Sequence, residues 1–194
     1  MEYNNYEAIS LLNVTGKVYT KVLQQQLKRY VKEEMSEEQA GFRKERGTME
    51  QTICRLIRQL SEIYTETNRT LYNNFIDFKQ AFDSVSQKGL WKTMRHCGVP
   101  EELVVLIEDI YSKSRSAVRV AGELTDWFQI KVGVRQGCGM SADLFILILE
   151  IVMRLAERRG EEVGIINGMT INNLRFADNR GECHKTHPFF VFSL

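Results

Sequence analysis

The sequence predicts an α+β fold, and three features of it carry that prediction. Apolar residues recur at helical spacing through most of the first half. Short β-prone runs flanked by glycine-bearing turns fill much of the second half. The strands do not alternate with helices in the strict order of a βαβ chain, which argues against a parallel sheet.

Along the chain, residues 15–31 place Val18, Val22, Leu23, Leu27 and Val31 on a helical stripe. Thr48 with Gln51 reads as a capping box for a helix that buries Ile53, Leu56, Ile57, Leu60 and Ile63. Residues 71–77 form a strand that ends on a carboxylate, Asp77. Residues 86–97 and 100–111 are helices, the second opened by Pro100 with Glu101 and Glu102 in its first turn. A hairpin follows, with 117–121 and 127–132 flanking Gly122 and Glu123. A glycine-bearing loop, 133–139, then leads into a long helix over 141–158. Last come strands at 163–166 and 169–176 around Asn167 and Gly168, the second running into Ala177 and Asp178.

Composition narrows the functional classes. The 194 residues are 43% hydrophobic, which is enough for a globular core, and there is no repeat or low-complexity linker. A net charge of +1 creates no overall basic field, so any nucleic-acid site must be local. Cys54, Cys97, Cys138 and Cys183 include no CxxC pair and no apolar leader opens the chain, so a reduced, intracellular setting, nuclear or cytoplasmic, is expected. The apolar run 144–152 is too short to span a bilayer and contains Glu150, so no membrane partner is expected.

The chemistry-bearing feature is a pair of β-prone segments that end in aspartate, Phe75-Ile76-Asp77 and Leu174-Arg175-Phe176-Ala177-Asp178. Side by side in one sheet, they would bring two carboxylates to one edge, where hard oxygen ligands can hold divalent ions for phosphoryl transfer. As bare sequence, both aspartates fit strand-end turn residues equally well. Arg43, Lys44 and Arg46 form a basic cluster interrupted by Glu45 and Glu50, which also fits a solvated loop. Cys183, His184 and His187 lack the partner pair that a zinc site needs.

Five blocks in order resemble the reverse transcriptases of non-LTR (LINE-type) retrotransposons. Asn5-Tyr6, Ile9-Ser10-Leu11-Leu12-Asn13-Val14 and Gly16-Lys17-Val18-Tyr19 are similar to the family's opening fingers block, and Glu38-Gln39-Ala40-Gly41-Phe42-Arg43 to the next. Phe75-Ile76-Asp77-Phe78-Lys79-Gln80-Ala81-Phe82-Asp83 resembles palm motif A. Gly133-Val134-Arg135-Gln136-Gly137-Cys138 resembles motif B, and Phe176-Ala177-Asp178 motif C.

The resemblance implies a right-hand polymerase fold: helical fingers over 1–70 and a palm with a small antiparallel sheet over 71–179, followed by an unrelated tail over 180–194. It implies RNA-directed DNA polymerase activity on an RNA template and DNA primer with deoxynucleotide triphosphates. Asp77 and Asp178 would be catalytic and, with Asn179, would hold two Mg²⁺, with Mn²⁺ as a substitute. Phe82 would screen the sugar 2′ position, although a core phenylalanine is the plain reading. Arg43, Gln136 and Gly137 would meet the nucleotide, and Lys44, Arg46 and Arg135 the nucleic-acid backbone. Asp83 reads as a structural carboxylate.

Four departures qualify these expectations. Asn179 stands where the family has a second aspartate, and Glu7-Ala8 where it has arginine and glycine. Met140-Ser141-Ala142 replaces Leu-Ser-Pro. After motif C the tail is polar and then apolar at Phe189-Phe190-Val191-Phe192, where the family continues into a strand and a thumb, so a truncated fragment with the thumb missing is expected. The tail's apolar end could fill the vacant strand position beside 169–176. An impaired or inactive fragment, a remnant that binds nucleic acid weakly, and a protein-interaction scaffold are the competing readings.

Overall fold

The computed structural model describes residues 10–36, 39, 41–42, 53–70, 72–78, 80–157, 164–166, 169–171, 173–176 and 179–184. By contacts the chain divides into two units, Met1–Met35 with Gln80–Ile151, and Ser36–Lys79 with Val152–Leu194.

In the first unit, helix α1 (Val14–Glu34) begins where the Asn13 side chain accepts a hydrogen bond from the Gly16 N–H at 2.7 Å. Its buried face is Thr20, Leu23, Gln24, Leu27 and Val31. Val18 and Val22, expected on that stripe, are 60% and 48% exposed. The reason is angular: 23, 27 and 31 repeat every four residues on one face, whereas 14, 18 and 22 repeat in the same way on the opposite face.

A four-residue helix α3 (Ala81–Ser84) leads to α4 (Gln87–His96) and α5 (Glu101–Ser112). Ser86 caps α4 by accepting from the Gly89 N–H, and Pro100 stands just outside α5 as its N-cap rather than at its first position. Leu90 and Met94 of α4 and Val104 and Ile107 of α5 are fully buried. The core closes on α6 (Gly139–Glu157), which starts two residues earlier than the sequence suggests and buries Met140, Leu144, Ile146 and Leu147. Its apolar girth explains why the run reads as continuous rather than striped.

Between α5 and α6 the expected hairpin is two ladders: β2 (Arg115–Ser116) with β5 (Phe128–Gln129), and β3 (Arg119–Val120) with β4 (Glu123–Leu124). Its turn is Ala121-Gly122, one residue earlier than expected, with φ of 50° and 92°. Positive φ at both central positions is the twist that a two-residue hairpin needs.

The second unit holds α2 (Ile53–Glu66), β1 (Tyr72–Asp77), β6 (Gly164–Ile166), β7 (Met169–Ile171), β8 (Asn173–Phe176) and β9 (Asn179–His184). Ile63 of α2, expected inside, is 46% exposed. Thr48 and Gln51, the expected capping box, lie outside the described residues. β6 and β7 pair around Asn167-Gly168, as that dipeptide predicts. The single strand expected over 169–176 is instead two, because β7 pairs with β6 while β8 belongs to another sheet.

That other sheet has the order β1-β9-β8, antiparallel throughout. Here the tail corrects the sequence reading: residues 179–184 are the central strand, occupying the position between β1 and β8. The segment is polar, so hydrophobic pattern did not announce it; pairing on both sides satisfies its backbone groups. Phe189 to Phe192, which could have filled a strand position, lie outside the described residues.

Candidate nucleotidyl-transfer site

Two structural groups carry the residues singled out from sequence, one in each unit. In the second unit, Asp77 is the last residue of β1 and stands directly opposite Asn179, the first residue of β9. Phe176, the last residue of β8, is also paired with Asn179. The strands bearing the two motifs are therefore not side by side, as expected, but share one sheet with β9 between them. The ends of β1 and β8 and the start of β9 meet at a single sheet end. Asp178 falls between β8 and β9 and lies outside the described residues, as do Arg43, Lys44 and Arg46. Among the described residues no cluster of three or more His, Cys, Asp or Glu could hold a metal ion.

In the first unit, the glycine-bearing loop is fastened to α3. Gly133 N–H donates to Val85 O and Val134 N–H to Phe82 O, each at 2.8 Å, and Gln87 Nε2 donates to Gly133 O at 3.1 Å. Gly133 has φ of +86°, and a Cβ there would lie 2.8 Å from Asp83 O and 2.9 Å from Asp83 Cα. Only glycine permits this approach. Asp83 thus meets the loop through its backbone atoms. Gly137 is exposed with φ of +98°, and Gln136 O accepts from Ser10 N–H at 2.8 Å.

Phe82 is half-buried and stacks on Phe145, with ring centroids 4.6 Å apart and planes 20° apart. Arg135 bends back onto protein. Its Nε and Nη2 donate to Ser114 Oγ at 3.0 and 2.5 Å, and its guanidinium carbon lies 5.8 Å from the Tyr111 ring centroid. Tyr111 in turn shares a hydrogen bond with Ser141 Oγ at 3.1 Å and meets Trp91 edge-on. Burial first of all pushes the Tyr111 phenol up, so it stays a neutral partner in this network.

Sequence reasoning missed Ser114 and Tyr111, which hold Arg135; nothing in their local sequence marks them. It also missed Gln24, which joins α1 to α6: its Nε2 donates to Gly139 O at 2.9 Å and to Asp143 Oδ2 at 2.5 Å. A signal for Asp143 did exist, a carboxylate at the head of an apolar helix, where burial without a donor is costly. Burial raises the Asp143 carboxyl, with Gln24, Lys28 and Lys21 opposing the rise.

The family profile described as reverse transcriptase (RNA-dependent DNA polymerase) matches residues 3–180. A Transposon TX1 protein of 149 kDa from Xenopus laevis is 26% identical over 155 residues, covering 80% of this chain and 12% of that protein. A retrovirus-related Pol polyprotein from the type-1 retrotransposable element R2 of Nasonia vitripennis is 33% identical over 110 residues, covering 56% of this chain and 10% of the relative. The chain thus spans about a tenth of the length of these relatives. Telomerase from Candida tropicalis, solved in complex with a TWJ fragment of telomeric RNA, matches with a TM-score of 0.58 at 14% identity, over 89% of this chain and 29% of that one. That likeness is one of fold and agrees with an α+β architecture of helices and small antiparallel sheets. By its matched profile and its retroelement relatives, the chain belongs to the reverse transcriptase family, in the branch of non-LTR retrotransposons.

Proposed function

We propose that this chain carries the nucleotidyl-transfer centre of an RNA-directed DNA polymerase in an impaired form. Fingers residues would occupy about 1–70 and palm residues about 71–179. The observation that carries the reading is the register of Asp77 against Asn179 at the end of the β1-β9-β8 sheet. Asp77 and Asp178 would be the carboxylates of the site, and Asn179 would add a carbonyl oxygen. This oxygen-only donor set suits Mg²⁺, with Mn²⁺ as substitute, rather than a soft metal. When bound, a pair of such ions activates the primer hydroxyl and neutralises the triphosphate. Asp77 and Asp178 would hold the site's charge, Phe82 would screen the sugar 2′ position, and Gln136 and Gly137 would approach the base pair.

Arg43, Lys44 and Arg46 would meet the triphosphate and the template. Arg135 would act by fixing the loop through Ser114 and Tyr111, consistent with its two bonds to Ser114. RNA template, DNA primer and deoxynucleotide triphosphates are the substrates proposed. Among the described residues no helix is long and apolar enough to cross a membrane. Asn179 favours the second reading, a remnant that binds nucleic acid without turnover, because an amide in place of a carboxylate removes one negative charge from the site.

Metal binding tests the site assignment, and primer extension tests turnover. Mn²⁺ titration followed by EPR should show Asn179→Asp tightening affinity about tenfold or more, and Asp77→Asn weakening it by a similar factor. If neither substitution moves the Mn²⁺ affinity, the site assignment fails. Extension of oligo(dT) on poly(rA) by the unaltered chain would overturn the impaired reading.

A further inference from the structure

A half-buried ring on a four-residue helix has little of its own to fix its direction, and Phe82 on α3 is such a ring. A phenylalanine ring turns about two side-chain bonds, the outer of them broad in its preferences, so what it packs against decides where it faces. The backbone of Phe82, by contrast, is held. Phe82 O accepts from Val134 N–H at 2.8 Å, and Gly133 closes on the backbone of Asp83, the next residue. The loop therefore sets where the side chain starts and leaves open where it points.

The direction is set by Phe145. The two rings stack with centroids 4.6 Å apart and planes 20° apart. Phe145 is 4% exposed, and its neighbours on α6, Leu144, Ile146 and Leu147, are fully buried. A side chain in a close-packed core keeps one rotamer. Phe145 is thus the fixed member of the pair, and Phe82 the member it directs. A near-parallel stack constrains the plane of its partner, because the preference arises from the charge distribution of the two rings; an aliphatic side chain of similar size imposes no plane.

We infer that Phe145 is a positioning residue for nucleotide selection: it holds the Phe82 ring in the plane that keeps a ribose 2′-hydroxyl out. The inference rests on the proposed role of Phe82 as the screen of the sugar 2′ position. Phe145 is buried and acts only through Phe82. Without the stack, the Phe82 ring turns toward the space left in the core, the screen widens, and ribonucleotides gain on deoxynucleotides.

The test is equilibrium dialysis of the full chain with Mg²⁺, poly(rU) and an oligo(dA) primer ended in a dideoxynucleotide, against labelled dATP or ATP. The unaltered chain should prefer dATP. Phe145→Leu keeps much of the volume without a ring, and should lower that preference about three- to tenfold, the range of one aromatic stack, mainly by tightening ATP. Phe145→Tyr keeps the ring and should keep the preference. Leu147→Val trims another side of α6 and should leave the preference unchanged, whereas loss of core packing alone would move both positions alike. In a Phe82→Ala background, Phe145→Leu should have no further effect. Should Phe145→Leu not fold, Phe145→Met fills the same space without a ring and reads the same outcomes. A preference that survives Phe145→Leu but not Phe82→Ala overturns this inference alone, as does an equal effect of Phe145→Leu when Phe82 is absent. If the unaltered chain binds the two nucleotides equally, or binds neither, the screening role of Phe82 falls and the inference falls with it.

Discussion

Gly133→Ala is the sharpest test of how the loop is built. The substitution introduces two separate penalties. At φ of +86° an L-residue costs about 1–2 kcal/mol over glycine. The new Cβ would also sit 2.8 Å from Asp83 O, 2.9 Å from its Cα and 3.1 Å from its carbonyl carbon. These are backbone atoms, so no side-chain rotation relieves the clash. Relief requires moving the loop away from α3, which stretches the bonds from Gly133 N–H to Val85 O and from Val134 N–H to Phe82 O. Overpacking of this kind costs about 1–3 kcal/mol, so the total is about 2–5 kcal/mol against a typical stability of about 5–15 kcal/mol.

Gly122→Ala is the internal control, because Gly122 has φ of +92° and nothing within 4 Å of the added Cβ. It incurs only the conformational penalty. Urea unfolding followed by tryptophan fluorescence reads the first unit, since Trp91 and Trp127 both lie there. With a slope of about 2 kcal/mol per molar, a loss of 3 kcal/mol lowers the midpoint by about 1.5 M. Gly133→Ala should be worse than Gly122→Ala by about 1 kcal/mol or more. Equal midpoints would refute the argument that close approach to Asp83 is what demands glycine.

Two further outcomes concern the bridge between α1 and α6. Gln24→Met keeps the length of the side chain but removes the donor to Gly139 O and Asp143 Oδ2, and should cost about 1–3 kcal/mol in urea unfolding; an unchanged midpoint would show the bridge to be idle. Asp143 has a carboxyl raised by burial above the ordinary 3.8, so its contribution to stability is fully present below that pH and is lost as pH rises through the folded value. Relative to Asp143→Asn, the unaltered chain should therefore lose stability as pH climbs from 3.8 toward neutrality, and a difference that does not change with pH would contradict the raised value.

Local signals were sufficient for much of the architecture. Apolar residues at helical spacing gave α1; Pro100 with Glu101 and Glu102 marked the start of α5; Asn167-Gly168 gave the β6-β7 pair; and the β-prone run ending at Asp77 gave β1. The ordered motif blocks led to the family, because they are strings of residue types rather than shapes. What needed the folded chain were the choices between equivalent local options. Both faces of α1 satisfy helical spacing, and the bonds from Gln24 to Gly139 and Asp143 of α6 fix which face is buried, leaving Val18 and Val22 outside. The strand Asn179–His184 has no apolar pattern, since backbone pairing with β1 and β8 is what makes it a strand. The same holds for residues far apart in sequence, such as Gln24 with Asp143 and Gly133 with Asp83. Burial and steric approach are properties of position in space, and a single sequence records residue type and order, not which distant atoms will meet.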